Sequence, residues 1–475
     1  MASDTRRETV DLLVVGASVG GLVAAITAAD QGLRAIVLER GKEPGGTARM
    51  APERIAAAGT AHQQAAGVSD SSAAFCRDWL AAVQSHVAPE LVTALVEQSA
   101  PLVEWLESRC ALPLTLAARY AAPGHSAPRL HLPGEVGGAD LVEALPRVAH
   151  RVNRVGTRFG TTADRLLRDA DGKLCGVVVK FGRKEQELLG PVLLACGGFV
   201  GSDALVTEHC PEVAALPFIG ADGPMGEGLR LGALAGAQTA RLAAVRITPL
   251  FALPTNHTVT APLLDLGAML VNQLGRRFVN ETLDPLVIAK AVRAQPGKMA
   301  YVMFDERIVT AARDADPYFG RVVLPRAARH ASLLADLGRQ FGMPDDALPA
   351  TVATYNEQRS GSGDPFGRVG GPTLSEPYHA IRVTAVRRRT VGGLVVDHAG
   401  RVLDANGTPI AGLYATGGAA IGLAGDGPKG ALEGTDALVA LGLGRLAALD
   451  VVARRAAVTA ATAAEPAAAA PDPPA

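Results

Sequence analysis

Residues 11–47 read DLLVVGASVGGLVAAITAADQGLRAIVLERGKEPGGT. An apolar run, Leu12 to Val15, meets a glycine-rich turn with Gly16, Gly20 and Gly21. An alanine-rich segment carries helical patterning to Asp30. Gly32 stops it, and a second apolar run, Ala35 to Leu38, ends in Glu39 and Arg40. Strand, turn, helix and strand in this order form a βαβ unit that holds the ADP half of a dinucleotide. The glycines permit a tight turn and a close backbone approach to pyrophosphate, which rests on the helix N-terminus. Ser18 replaces the middle glycine of the usual pattern. An acid at the end of the second strand, here Glu39, accepts the ribose hydroxyls.

Leu12 to Ala29 carries no charged residue, so a membrane span has to be considered. Three glycines interrupt it and its length is minimal for crossing. The residues before it carry both charge signs, unlike the basic start of a secretion signal. Both readings are rejected, and a cytoplasmic protein is expected.

The chain has 475 residues, enough for two or three domains with ample core. A net charge of -1 with 20% charged residues gives no electrostatic footprint for nucleic acid or anionic membrane. Cys76, Cys110, Cys175, Cys196 and Cys210 are scattered, without a C-x-x-C pair. That spacing excludes a disulfide framework and a zinc site; no metal is expected.

Outward from the opening unit, residues 1–10 read as a polar, frayed end. Residues 70–109 show helical spacing. Residues 113–138, rich in Pro and Gly, read as an irregular segment carrying Tyr120, His125, Arg129 and His131 toward a ligand. Residues 139–152 read as a helix, and the runs on either side of Asp171-Gly172 as a hairpin or meander. Val192 to Ala195 is a buried strand ending in Cys196-Gly197-Gly198, and residues 226–237 form a Gly/Ala helix. Residues 241–370 differ in composition and read as an inserted domain. Residues 371–455 return to the first domain, which occupies 1–240, and end in a long apolar helix over 436–453. The Ala/Pro-rich stretch 456–475 reads as a disordered tail.

Seven pieces in order carry a family resemblance: VVGASVGGLVAAITAADQGLRAIVLER, EPGGTARM, AAGTAHQ, VLLACGGF, GAMLVNQLGRRFVNE, TVGGLVVDHAGRVLD and TPIAGLYATGG. Together they resemble the FAD flavoproteins of the fumarate reductase, succinate dehydrogenase and 3-ketosteroid dehydrogenase group. The resemblance implies an α/β fold: a Rossmann-like FAD-binding domain with a three-layer parallel sheet and a β-meander, interrupted by an α+β capping domain. It implies FAD as cofactor and a small-molecule substrate between the domains. It also implies hydride exchange between flavin N5 and an activated carbon–carbon bond. The cofactor contacts carried over are Gly16, Ser18, Gly20, Gly21, Glu39, Arg40, Gly45, Gly46, Thr47, Cys196, Gly197, Gly417, Gly434, Ala437 and Leu438. In the family the N-terminus of the final helix points its positive dipole at the flavin pyrimidine. An acid usual in the last strand motif is Gly418 here. Some relatives attach flavin covalently near the position of His62.

The family's dicarboxylate-binding set falls on uncharged or altered positions. The histidine before Pro-Thr is Thr248, the proton-donor arginine is Leu283, a histidine pair is Arg388 and Arg389, and the last arginine falls near Ala431. A dicarboxylate needs several fixed cations, and reduction needs a positioned proton donor. The expected substrate is therefore not a small dicarboxylate but an enone, ketone or larger acid. Arg388 and Arg389 head the catalytic candidates, followed by Tyr120, His257, Glu433 and Lys429; the ketosteroid branch's tyrosine aligns near Gly430. Arg277 is expected to make structural bonds. Two other readings stand beside this one: a flavin-binding protein without the family chemistry, and a flavin oxidase or monooxygenase. The electron partner is open.

Overall fold

The computed structural model describes residues 7–50, 53–83, 88–220, 223–260, 262–359, 363–424 and 432–464. Leu12–Val15 and Ala35–Leu38 are strands buried along their whole length. Continuous apolar runs are what parallel strands covered on both faces require. They lie in a six-stranded sheet ordered Arg401–Leu403, Pro409–Ala415, Val192–Leu194, Leu12–Val15, Ala35–Leu38, Val155–Arg158. Five of the strands run parallel, and the 401–403 edge is antiparallel, so the sheet is mixed rather than purely parallel.

One face of this sheet is covered by the helices Val19–Asp30 and Thr435–Ala464. They cross closely because the contact is glycine on glycine: a Cβ on Gly444 would lie 2.2 Å from the Gly20 carbonyl oxygen. The other face meets the strands Thr161–Arg168, Leu174–Phe181 and Lys184–Leu189, which form the expected antiparallel meander. The expected frayed start is ordered from Arg7: Arg7–Thr9 pairs in parallel with residues 187–189, and Arg7 Nε donates to Glu187 at 2.6 Å. The final helix also continues to Ala464, through the start of the stretch expected to be a disordered tail. Alanine is the strongest helix former, and an Ala-rich extension of an existing helix needs no new nucleus. Residues 465–475 lie outside the described residues.

A second core gathers around another sheet, in the order His257–Thr258, Val245–Ala252, Tyr378–Thr390, Ala300–Asp305, Met269–Val271, with Ala328–Ala331 also on the long strand. Helices Pro285–Ala294, Glu306–Ala315, Leu334–Gln340 and Ala347–Glu357 belong to the same region. The return to the first core comes later than the expected residue 371, because Tyr378–Thr390 pairs with 245–252 and 300–305. The outgoing and returning chains run side by side, and Val391 N donates to Ala244 O at 2.8 Å. Residues 199–216 also contribute to the second core, through Phe199, Val206, Val213 and Leu216. Arg277 is buried, with its guanidinium on Glu281 at 2.9 and 2.7 Å and on Asp364, a structural role as expected.

The segment 113–138 is not an irregular arm reaching for a ligand. Leu114–Leu116 and Leu130–Pro133 pair, and Ile55–Ala56 completes a small sheet. Arg129, fully buried, binds Asp70 through two 2.7 Å bonds and also binds Asp78. His131 donates Nδ1–H to the Arg129 carbonyl at 2.8 Å and faces the Thr60 hydroxyl with Nε2 at 3.0 Å. His125 donates to the Glu433 carbonyl at 3.0 Å. Burial lowers both imidazoles to about 4. The unfolded chain, with histidines near their ordinary value, takes up these protons first as pH falls. Stability is therefore complete above about pH 6.5 and is lost toward pH 4, by up to about 3 kcal/mol per histidine. The melting temperature should fall across that window, and a His125→Gln/His131→Gln variant should show a flatter profile. An equally steep profile in the double variant would refute the assignment.

Among the described residues no helix is long and apolar enough to cross a membrane, and no cluster of three metal-ligating side chains occurs. All five cysteines are unpaired.

Candidate functional site

The turn after the opening strand forms one wall of a deep cleft. Gly16 has φ +105°, and its N–H donates to Leu38 O at 2.7 Å. A Cβ there would lie 2.5 Å from the Ala195 carbonyl oxygen, so two strand ends meet backbone to backbone. Ser18 caps the helix, its hydroxyl accepting from Gly21 N at 3.3 Å. The mouth of the cleft thus holds backbone N–H groups and the positive end of a helix. Glu39 accepts from Ala17 N at 3.0 Å and Gly41 N at 2.7 Å, which fixes its carboxylate on the cleft wall beside Arg40.

Gly45, Gly46 and Thr47 cross over the helix start, and Gly45 N donates to Ala17 O at 2.8 Å. Opposite them lie Cys196, Gly197 and Gly417. Gly20 and Gly21 do not line the cleft; they let the helix pack on Ala440 and on the turn. From the final helix Ala440 lines the cleft, while the side chains of Ala437 and Leu438 are buried in the first core and Gly434 packs against Ala56. Lys429, Gly430 and Ala431 lie outside the described residues. His62 does not line the cleft either: its Nε2 meets Glu107 at 2.8 Å.

Two polar groups missed by sequence reasoning face this cleft. Glu227 is ion-paired to Arg40 through one oxygen, while the other is buried without a partner among the described residues. The hydroxyl of Thr390 is likewise buried and unpartnered. Orphaned polar atoms on a cleft wall mark where a polar ligand completes the hydrogen bonding. Glu227 was legible in principle, since Gly226-Glu227-Gly228 places an acid between glycines at a helix start. The glycine-walled cradle, the fixed Glu39 and these orphans suit FAD.

Beyond the cradle the cleft passes between the two cores, where Phe251, Thr258, Val386, Arg388 and Arg389 line it. Arg389 is held 3.5 Å from both Glu53 and Asp436. Burial pushes the Asp436 carboxyl up, but Arg389, Arg246 and Arg388 outweigh that and hold it below its usual range. Arg388 makes no hydrogen bond or ion pair among the described residues. Its place deep in the molecule and the neighbouring Arg389 charge lower its guanidinium to about 10, so it remains a cation at neutral pH.

The other candidates fare differently. Glu433 is engaged by Arg54 and is not a free general base. Burial raises the Tyr120 phenol; Arg54 counters this, while Asp265 and Asp316 add to it. His257 Nδ1 lies 3.1 Å from the Tyr318 hydroxyl. Thr248 is buried, its hydroxyl accepting from Leu250 N at 3.3 Å, and Leu283 is 44% exposed.

A dinucleotide cradle open to a second core with a guanidinium at the junction defines a flavoprotein oxidoreductase, with FAD as its cofactor. Residues 11–431 match the family described as FAD binding domain, and the chain belongs to that family. It is 33% identical over 417 residues to the fumarate reductase (cytochrome) of Shewanella frigidimarina, covering 86% of this chain and 72% of that protein. It is 25% identical to the 4-oxocyclohexanecarboxylate 2-dehydrogenase of Sinomonas cyclohexanicum, covering 87% and 88% of the two chains. Among solved structures, the open conformation of a flavocytochrome c3 fumarate reductase superposes with a TM-score of 0.80 at 27% identity, over 94% of this chain and 79% of the other.

Proposed function

We propose that this flavoprotein exchanges hydride between flavin N5 and an activated carbon–carbon bond of an enone, ketone or larger acid, not a small dicarboxylate. Arg388, without an ion pair among the described residues, carries the reading. It stands on the cleft wall beside Phe251 and Val386, while Thr248 and Leu283 occupy positions where the resemblance calls for charged or proton-donating groups. A guanidinium that has no ion pair among the described residues, beside apolar walls, suits a substrate with a single oxyanion or carbonyl and an apolar body. The likeness to a dehydrogenase named for a cyclic keto acid supports the same class.

When bound, FAD supplies the hydride-transfer chemistry. Gly16, Glu39 and the Gly45–Thr47 loop would hold its pyrophosphate and ribose. Arg388 would hold the substrate oxygen and stabilise the negative charge that develops there. Phe251 and Val386 would exclude water, which strengthens that interaction. Glu53 and Asp436 fix Arg389, so its charge stays in place without collapsing onto the substrate.

The test is anaerobic. Holoenzyme reduced with dithionite is mixed with 2-cyclohexen-1-one or with fumarate, and return of the flavin absorbance is followed. Reoxidation by the enone and not by fumarate is expected. Arg388→Met should slow the enone reaction about 100-fold with flavin content unchanged. Faster reoxidation by fumarate, or an unaffected Arg388→Met, would sink the proposal.

A further inference from the structure

The cofactor contacts carried over by resemblance lie on the first-domain turns and helix starts, and none falls on the strand that returns from the second core. We infer that the Thr390 hydroxyl on this strand donates a hydrogen bond to a carbonyl oxygen of the flavin ring. The inference rests on FAD as the cofactor and is independent of the substrate class proposed above.

Thr390 ends the long strand Tyr378–Thr390 and is 5% exposed. Its backbone pairs with Val245, and the next residue, Val391, donates its N–H to Ala244 O at 2.8 Å. With the backbone fixed, a β-branched side chain has few rotamers open to it. The hydroxyl is buried on the cleft wall and has no hydrogen-bond partner among the described residues.

Its neighbour is Gly198. A Cβ there would lie 1.9 Å from Thr390 Oγ1, so a side chain at 198 would fill the space that the hydroxyl occupies. Gly198 in turn meets Gly418 backbone to backbone, since a Cβ on Gly418 would lie 2.7 Å from Gly198 N. Both glycines line the cleft, just beyond the adjacent parallel strands Val192–Leu194 and Pro409–Ala415. The hydroxyl therefore stands at the carboxyl ends of the sheet, where open α/β sheets take their ligands. A buried hydroxyl left without a partner at such a place is completed by the ligand.

Its position along the cleft selects the part of FAD. The ADP half belongs to the helix start capped by Ser18 and to Glu39 at the end of the second strand. Thr390 directly follows Arg388 and Arg389, which line the junction between the two cores. Hydride exchange at that junction requires the ring to reach it. The ring projects two carbonyl oxygens against a single N–H donor, and N5 is kept for hydride. Reduction adds negative charge to the carbonyl oxygens, and a hydrogen bond to a charged acceptor is the stronger one. Loss of the hydroxyl therefore disfavours the reduced flavin.

The probe is the FAD holoenzyme, titrated anaerobically with dithionite against a reference dye. Thr390→Val keeps the shape and removes the donor. Its midpoint should fall by about 30 mV, which for a two-electron couple is a tenfold loss of preference for reduced over oxidised flavin. The visible bands of the oxidised flavin should shift as well. Thr390→Ala, which cannot crowd Gly198, should show the same fall, and Thr390→Ser should restore the parent value. A merely structural threonine would change flavin retention or melting temperature and leave the midpoint in place. Glu39→Gln supplies the contrast on the ADP half: weaker FAD binding at an unchanged midpoint. A midpoint and spectrum unmoved in both Thr390→Val and Thr390→Ala overturn the inference. A rise in midpoint overturns it too, because the hydroxyl would then be an acceptor. No substrate enters the measurement, so its failure and that of the proposed reaction are read separately.

Discussion

Gly16→Ala is expected to purify as a folded but colourless chain. The substitution meets two obstacles at once. A φ of +105° is a conformation that a side chain strongly disfavours, at a cost of about 1–3 kcal/mol. The new Cβ would also lie 2.5 Å from Ala195 O and 2.7 Å from Cys196 Cα, all backbone, so nothing flexible can yield. The strand end carrying Ala195, Cys196 and Gly197 must move, and it is the opposite wall of the cofactor cleft. Displacing that wall removes the backbone fit to FAD and should weaken binding by at least ~100-fold, or roughly 3 kcal/mol. The flavin-to-protein absorbance ratio and a reconstitution titration read this directly. Gly32→Ala is the control, since its φ of +81° is strained but nothing lies within 4 Å of the added atom. It should lose a little stability and keep its flavin. A yellow Gly16→Ala protein with normal affinity would refute the account of the cleft.

Arg129→Leu should be the most destabilising single change outside the cofactor site. Arg129 is fully buried between Asp70 and Asp78 and lies 4.9 Å from the centre of the Phe75 ring. Its removal strands Asp70, at 1% exposure, as an uncompensated charge. Breaking one side of a buried pair costs about 3–5 kcal/mol, a large part of the 5–15 kcal/mol that holds a typical protein together. Denaturant midpoints should show the loss. Removing the stranded charges as well, in Arg129→Leu/Asp70→Asn/Asp78→Asn, should recover part of it. A triple variant no more stable than the single one would contradict the electrostatic explanation.

What the chain discloses in advance is what depends on near neighbours. Leu12 to Glu39 is legible because strand, turn and helix are each signalled by the residues that form them, and the resemblance adds the cofactor. Long-range pairings are not signalled in this way. Nothing near Glu433 indicates that Arg54, 379 residues earlier, engages it and removes it as a base. Arg387, Arg388 and Arg389 look alike in sequence. The fold ties the first to Asp203 and the third to Glu53 and Asp436, and among the described residues it gives the middle one no ion pair. His257 was recognisable as a candidate, but its partner Tyr318 lies 61 residues on. Nothing within 378–390 reveals which sheet the strand joins; that is decided by its partners at 245–252 and 300–305.

The side-by-side crossing at 245–252 and 378–390 has a mechanical meaning. Two strands locked by ladder bonds resist sliding past one another and yield mainly in torsion. The second core is therefore mounted on a torsion bar rather than on two slack threads. Arg388 and Arg389 sit at the foot of that bar, next to the Val391–Ala244 bond. Residues 378–383, with the strands 300–305 and 328–331 attached, form its far end. The same strand thus carries Arg388 and Arg389 on the cleft wall at one end and holds the 300–305 and 328–331 strands of the second core at the other.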